Sequence, residues 1–344
     1  MGPTDRRSGP NGLTAMRPDA SRTIPTPNDD EATVKARFED VSYALHAGHY
    51  EQYAEGGECD EVAQTWCRRD TVDAWRHQRM YETIGPILAG DPGARWLTVG
   101  DGRYGQDARY LLDHGADVVA TDISDTLLRE ARDKGFITAF RCENAEALSF
   151  GDRSFDYVLC KESYHHFPRP MLALYEMLRV ARKGVVLIEP NDDLVPRGPL
   201  EIVSRFAIHA ARLALGRRPA RHEFEVAGNF VYKVSRREIE KAAVGVDLAA
   251  ICFEGFNDIY VRGVEHEQRA ERGPIFRRTR MLIGVADLLC GLRLMDHTML
   301  SATIFKRAPA AAIAEGLSRR RVKLIALPDN PYASPAGHAN ADAA

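Results

Sequence analysis

Five apolar runs, WLTVG, DVVATD, ITAFRC, FDYVLC and GVVLIEP, follow one another between Trp96 and Pro190. Helical segments lie between them: QDARYLLDHG, SDTLLREARDKG and RPMLALYEMLRVARKG, each ending in glycine, a common helix stop. Strands buried on both faces read as near-continuous apolar runs, and joining parallel strands requires a crossover of about a dozen residues or more. The alternation therefore predicts an α/β fold with a mostly parallel sheet and ligands outside the carboxyl ends of its strands. No internal repeat is visible.

After Pro190 the alternation is interrupted. A mostly helical insertion near 193–232 contains EIVSRFAIHAARLALG and then a basic, histidine-containing loop. SRREIEKAAVG follows, opened by Ser235 with Glu238 three residues on, the spacing of a capping box. LAAICFEGF reads as a sixth strand, a second helical insertion covers 264–294, and HTMLSATIFKR reads as a seventh strand. Upstream, residues 31–90 have a helical pattern with interleaved aromatics such as Tyr43, Tyr50, Trp66 and Trp75, fitting a packing layer or a lid. Residues 1–30 hold few large apolar groups and are expected to be disordered. Residues 309–344 form a C-terminal extension whose last dozen residues are also expected to be disordered.

The junction of the first strand and helix reads VGDGRYGQDA, in which Gly100, Gly102 and Gly105 make G-x-G-x-x-G. Asp122 closes the next strand. Glycines let backbone pass close to a ligand, and a carboxylate at that distance accepts hydrogen bonds from a ribose. A nicotinamide dinucleotide and a sulfonium nucleoside both suit this turn, so the turn alone does not choose.

The segments ENAEALSFGDRSFDYVLCKESYHHFPRP and LRVARKGVVLIEP resemble the class I S-adenosylmethionine-dependent methyltransferases. The resemblance covers residues 91–190 well and 233–308 loosely. It implies a Rossmann-like, seven-stranded, mostly parallel sheet with one antiparallel strand, carrying a helical N-terminal cap and helical insertions. It implies S-adenosyl-L-methionine as cofactor, with residues 91–308 as the binding domain. Gly100, Gly102 and Gly105 would lie against its methionine part. Asp122 would accept from both ribose hydroxyls with Ile123 beside the adenine. Asn144 and Ala145 would meet the adenine edge, and Cys160 and Lys161 would border the methionyl group. The chain departs from the family at Thr98, where an acid is usual, at Tyr104, where the third glycine often stands, and at Asn144, where aspartate is frequent.

Methyl transfer is an in-line displacement that needs an oriented nucleophile and, for a hydroxyl, a base. The loop KESYHH offers His165 first, then His166 and Glu162. Glu189, Asp192 and Asp193 could gather a divalent cation, but their pattern fits a solvated or hydrogen-bonding loop better, and no metal site is expected. Arg217, Arg218, Arg221 and His222 read as a solvated basic loop before an anion site.

A net charge of −3 with 28% charged residues provides no global attraction to nucleic acid or an anionic membrane. Six cysteines without C-x-x-C spacing suggest reduced thiols. The opening MGPTDRRSGPNG lacks the apolar core of a secretion signal, and MLIGVADLLCGL is short for a bilayer span, so a cytoplasmic protein is expected. The expected reaction is methyl transfer to a small molecule, O-methylation before N-methylation, in specialised metabolism or saccharide modification. No nucleic-acid or membrane partner is expected, and a homo-oligomer is open. The rival readings are an NAD(P)-dependent oxidoreductase, a noncatalytic cofactor-binding scaffold and a protein methyltransferase.

Overall fold

The computed structural model describes residues 31–192, 199–216 and 230–329, with side chains from Val41 onward. The expectations for residues 1–30, Asp193, the arginine loop at 217–222 and the last dozen residues lie outside that range.

Among the described residues the first elements are the helices α1 (Glu31–Glu51), α2 (Asp60–Trp66), α3 (Val72–Tyr81) and α4 (Gly85–Gly90). The alternation follows as β1 (Arg95–Val99), α5 (Gln106–Asp113), β2 (Asp117–Asp122), α6 (Thr126–Asp133), β3 (Phe140–Cys142), β4 (Phe155–Lys161), α7 (Pro170–Val180) and β5 (Ala181–Pro190). The remaining elements are α8 (Pro199–Ala214), α9 (Arg236–Gly245), β6 (Ala250–Phe256), α10 (Pro274–Gly291), β7 (Met299–Phe305), α11 (Ala311–Arg319) and β8 (Leu324–Ala326). Local chemistry sets several starts. Thr71 Oγ1 accepts from Ala74 N at 3.1 Å to cap α3, and Ser235 Oγ accepts from Glu238 N at 3.2 Å to cap α9 as its sequence predicts.

The sheet order is β3-β2-β1-β4-β5-β7-β6-β8. The pairs from β3 through β5 are parallel, while β7 runs antiparallel to β5 and β6, and β8 antiparallel to β6. The Rossmann-like architecture stands, with eight strands among the described residues instead of the seven read from the sequence, two of them reversed. The extra strand is three residues long and pairs only along the outer edge of β6, too short to leave a period in the sequence.

Alternate residues enter opposite apolar layers. Trp96, Tyr157, Leu159, Val186 and Ile188 face the layer shared with Met80, Leu111, Leu128 and Ile313, which belong to α3, α5, α6 and α11. Leu97, Val158, Cys160, Val185 and Leu187 face the layer shared with Leu174, Met177, Ile239 and Ala243 of α7 and α9. Helices thus cover both faces, and each fully buried Leu or Ile contributes about 1.5–3 kcal/mol of transfer free energy. Connections run outward from β1 to β2 and β3, then cross back to β4 on the other side. That reversal opens a crevice at the carboxyl ends of β1 and β4. Among the described residues no helix is long and apolar enough to cross a membrane.

Candidate functional site

A cavity of about 1030 Å³ opens over that crevice, with α1, α3 and the loop after β6 completing its walls. Its two ends differ in construction.

At one end the wall is backbone. Gly100 and Asp101 N–H groups donate to the Thr121 carbonyl at 2.9 and 3.0 Å, which pins the turn to β2. Gly100 has φ +77°, and a Cβ there would strike Ser163, whose hydroxyl donates to the Gly100 carbonyl at 2.6 Å. A Cβ on Gly102 would stand 2.8 Å from Asp122 Oδ2 and 2.9 Å from the Tyr50 ring. The turn closes through Tyr104, also left-handed at φ +57°, whose buried ring sends its hydroxyl to Glu130 at 2.8 Å. This is how the turn accommodates a tyrosine one position before Gly105.

The departure at Thr98 also has a local explanation. Thr98 Oγ1 donates to Asp101 Oδ2 at 2.8 Å, and the same carboxylate accepts from the N–H groups of Asp107 and Ala108 at 3.1 and 2.9 Å. The acid is displaced three residues along, where it caps α5. Burial and the neighbouring Asp107 push Asp101 well above the ordinary carboxylate range.

Asp122 lines the cavity while only 5% exposed. Burial pushes its carboxyl up to about 7, although backbone donors from Ser124, Gly102 and Ile123 oppose the shift. Ile123, Asn144 and Ala145 lie beside it in the wall. The Asn144 carbonyl oxygen accepts from Glu146 N at 2.9 Å, which fixes the side chain. Tyr43 on α1 donates to Glu146 at 2.7 Å, and Arg169 reaches both Glu146 and Tyr43, tying α1 to the rim.

At the other end the wall is charged side chain. Lys161 Nζ lies 3.4 Å from Asp107 Oδ1, 3.3 Å from Glu162 Oε2 and 3.1 Å from His77 Nδ1. Burial and Lys161 lower the His77 pKa to about 4, so its imidazole is neutral at pH 7 and Nδ1 is the acceptor. Glu162 sits at φ +51°, a left-handed conformation that costs energy for a residue with a Cβ. Burial would raise its pKa, but the charges of Lys161 and Arg103 help to outweigh that and hold it well below the carboxylate range. Arg76 makes a two-pronged contact with Asp258 and a third bond to Asp73 at 2.7 Å. Its guanidinium locks α3 to the loop after β6, where Tyr260 and His266 also line the cavity.

His165 stands on the short turn after β4 with Nδ1 2.6 Å from Glu189 Oε2. Glu189 is fully buried at the end of β5, and its other oxygen accepts from Ser163 N and Tyr164 N at 2.9 Å each. One carboxylate thus fixes the loop and the imidazole together. The His166 ring follows, its centroid 3.9 Å from that of His165. Glu189 is therefore committed to the loop, and among the described residues no group of three His, Cys, Asp or Glu side chains is disposed to hold a metal.

Of the residues singled out in the sequence, Gly100, Asp122, Ile123, Asn144, Ala145, Lys161, Glu162, His165 and His166 line this one cavity. Gly102 and Gly105 shape the turn without lining it. The Cys160 side chain points into the apolar layer beside α7, fully buried, where burial pushes its thiol well up. The sequence reading missed Arg76, His77 and Asp258. The available signal was that Arg76 and His77 fall between Val72 and Met80 on the inward face of α3, where a helix of purely structural role carries apolar residues.

Residues 97–188 match a family model described as a methyltransferase domain. A demethylmenaquinone methyltransferase from Beutenbergia cavernae is 33% identical over 151 residues, 44% of this chain and 62% of that protein. A 2-methyl-6-phytyl-1,4-hydroquinone methyltransferase from Synechocystis is 35% identical over 100 residues, 28% of this chain and 31% of that protein. The chain thus spans about three fifths or less of the curated relatives it matches. Among solved structures, the 1,6-didemethyltoxoflavin N1-methyltransferase of Burkholderia thailandensis with bound S-adenosylhomocysteine aligns over 86% of this chain and 99% of its own, at 14% identity and a TM-score of 0.43.

Proposed function

We propose that the chain, whose residues 97–188 match a methyltransferase domain, is a class I S-adenosylmethionine-dependent methyltransferase that methylates a small hydroxyl-bearing molecule. The observation that carries this reading is the single cavity joining buried Asp122 to a histidine held by Glu189. At about 1030 Å³ it reaches the upper end of the usual ligand-pocket range, room for a nucleoside cofactor and an acceptor together.

The residues present fit that cofactor. Asp122, raised to about 7 by burial and facing the cavity, has backbone donors that do not offset the cost of burying its charge, and two ribose hydroxyls would add to them. The Gly100–Gly102 turn admits close approach of the methionine part, and Ile123, Asn144 and Ala145 would flank the base. Lys161 would border the methionyl group. When bound, the cofactor supplies an electrophilic methyl carbon.

The remaining requirements fall on the chain. His165 is the base in this reading: Glu189 accepts the Nδ1 proton and orients the ring, so Nε2 is the basic nitrogen. Glu162 is held ionised too strongly to take a proton near neutrality, so its part is to accept a hydrogen bond from the acceptor. His166 packs beside His165 with its ring tilted 40° to it. The cover formed by α1 favours a small acceptor over a macromolecule, and a base placed for a hydroxyl favours O-methylation over N-methylation. The relatives named for quinone substrates extend the acceptor class to a hydroxylated aromatic ring, on which the same base would deprotonate a phenol. Six free thiols suit a cytoplasmic setting.

Calorimetric titration with S-adenosylmethionine, S-adenosylhomocysteine and NADH tests the premise. Saturable binding of the first two, lost in Asp122→Ala, is expected. Binding of NADH alone would overturn the reading in favour of an oxidoreductase. Cofactor binding with no transfer to any hydroxylated acceptor would leave a binding scaffold.

A further inference from the structure

Two helices present apolar side chains to solvent. On α10 the buried face holds Phe276, Thr279, Ile283 and Ala286, whereas Met281, Val285 and Leu288 are 50–62% exposed and Leu292, one residue beyond, is 52% exposed. Their spacing of three and four residues sets them in one outward stripe. The helix α8 goes further. Only Glu201 in its first turn is buried, and every residue from Phe206 onward is exposed, Phe206 itself by 75%. Ser204 Oγ donates to the Leu294 carbonyl at 2.5 Å, so α8 leaves the body beside the end of α10. Among the described residues, eleven of the eighteen exposed large apolar side chains lie on these helices or one residue past them. An amphipathic helix ordinarily turns its apolar side to a core or a bilayer, and exposed apolar patches this concentrated mark interaction sites.

The charges on this face indicate the occupant. On the two helices the exposed cations are Arg212, Arg277, Arg278 and Arg280, with Arg293 just past α10, against a single exposed acid, Asp287, which accepts from Asn257 at 2.7 Å. Glu201 is buried and answers Arg205 at 2.7 Å. The chain as a whole carries −3, so this face is basic against an acidic background.

We propose that α8 and α10 form a docking face for an anionic lipid surface, the apolar stripe entering the headgroup boundary and the arginines meeting phosphates. A second copy docked about a two-fold axis would set arginine against arginine, whereas anionic headgroups neutralise them. The expectation of no membrane partner rested on net charge, which says nothing about where the charges lie.

Flotation of the full chain with phosphatidylcholine vesicles, with and without phosphatidylglycerol, tests this at low and high salt. Expected is binding about tenfold stronger with phosphatidylglycerol, weakened by salt. Leu288→Glu and Arg278→Glu should each reduce it several-fold, with thermal unfolding unchanged because both side chains are exposed. Absence of wild-type flotation, or equal flotation with both vesicles, overturns the proposal. So does a concentration-dependent dimer in light scattering that Leu288→Glu abolishes, which would give the face to a second copy.

Discussion

The two ends of the cavity are made of different material. The end we propose for the cofactor is backbone plus one carboxylate: the turn at Gly100 and Gly102, the strand end at Asp122, and Ile123 and Ala145 beyond it. The end we propose for the acceptor is side chains brought together over long sequence distances, as in the Arg76–Asp258 contact across 182 positions. The first is defined by local geometry that a few glycines and one strand length reproduce. The second exists only once α3 and the loop after β6 have docked. A fold can therefore keep its cofactor while its acceptor changes, because the two ends share few residues.

The sharpest test of that division is His165→Ala. Loss of a general base is expected to lower kcat by about 10²–10⁴-fold, with S-adenosylhomocysteine affinity unchanged in calorimetry. A parallel fall in cofactor affinity would erase the distinction between the ends. Asp122→Ala should act in the opposite sense, weakening cofactor binding about 100-fold through two lost charge-assisted hydrogen bonds and leaving the acceptor KM unaltered.

A pH titration sharpens the comparison with a smaller effect. Asp122 has its folded pKa raised to about 7, so the empty protein favours the protonated acid, and the associated stability is lost as pH rises through 7. The ribose hydroxyls favour the ionised form. Cofactor affinity should thus rise with pH, about tenfold between pH 6 and 8, and Asp122→Asn should flatten the profile. The smallest expected effect is Tyr43→Phe, which removes the α1 hydroxyl from Glu146 and Arg169 at a cost of about 1 kcal/mol. Faster amide exchange confined to α1, with β1 and β4 unaffected, would show the cover opening independently of the sheet.

The same division governs what the sequence discloses. The strands from β1 to β5 announce themselves as apolar runs because both their faces are buried, and Asp122 is found because strand length fixes its distance from the turn. β8 escapes notice because three residues carry no period. Glu189 escapes for another reason. It reads as a candidate ligand on a solvated loop, yet it is buried, and besides His165 its partners are backbone N–H groups such as that of Tyr164, 25 positions upstream, a class of contact that leaves no trace in side-chain identity. His77 looks like an ordinary helix residue until Lys161 is placed against it.

The position of β7 has a consequence for synthesis. It lies between β5 and β6, paired over seven residues with each, from Gly184↔Phe305 to Pro190↔Met299 on one side and Ala250↔Phe305 to Phe256↔Met299 on the other. A ribosome delivers β5 and β6 first, so the nascent chain carries two unmatched strand edges until residue 305 has left the exit tunnel. Exposed edges of that kind recruit neighbouring chains. Placing β7 joins β6 to the parallel part of the sheet, and a chain ending between Phe256 and Met299 would leave both of those edges open to aggregation.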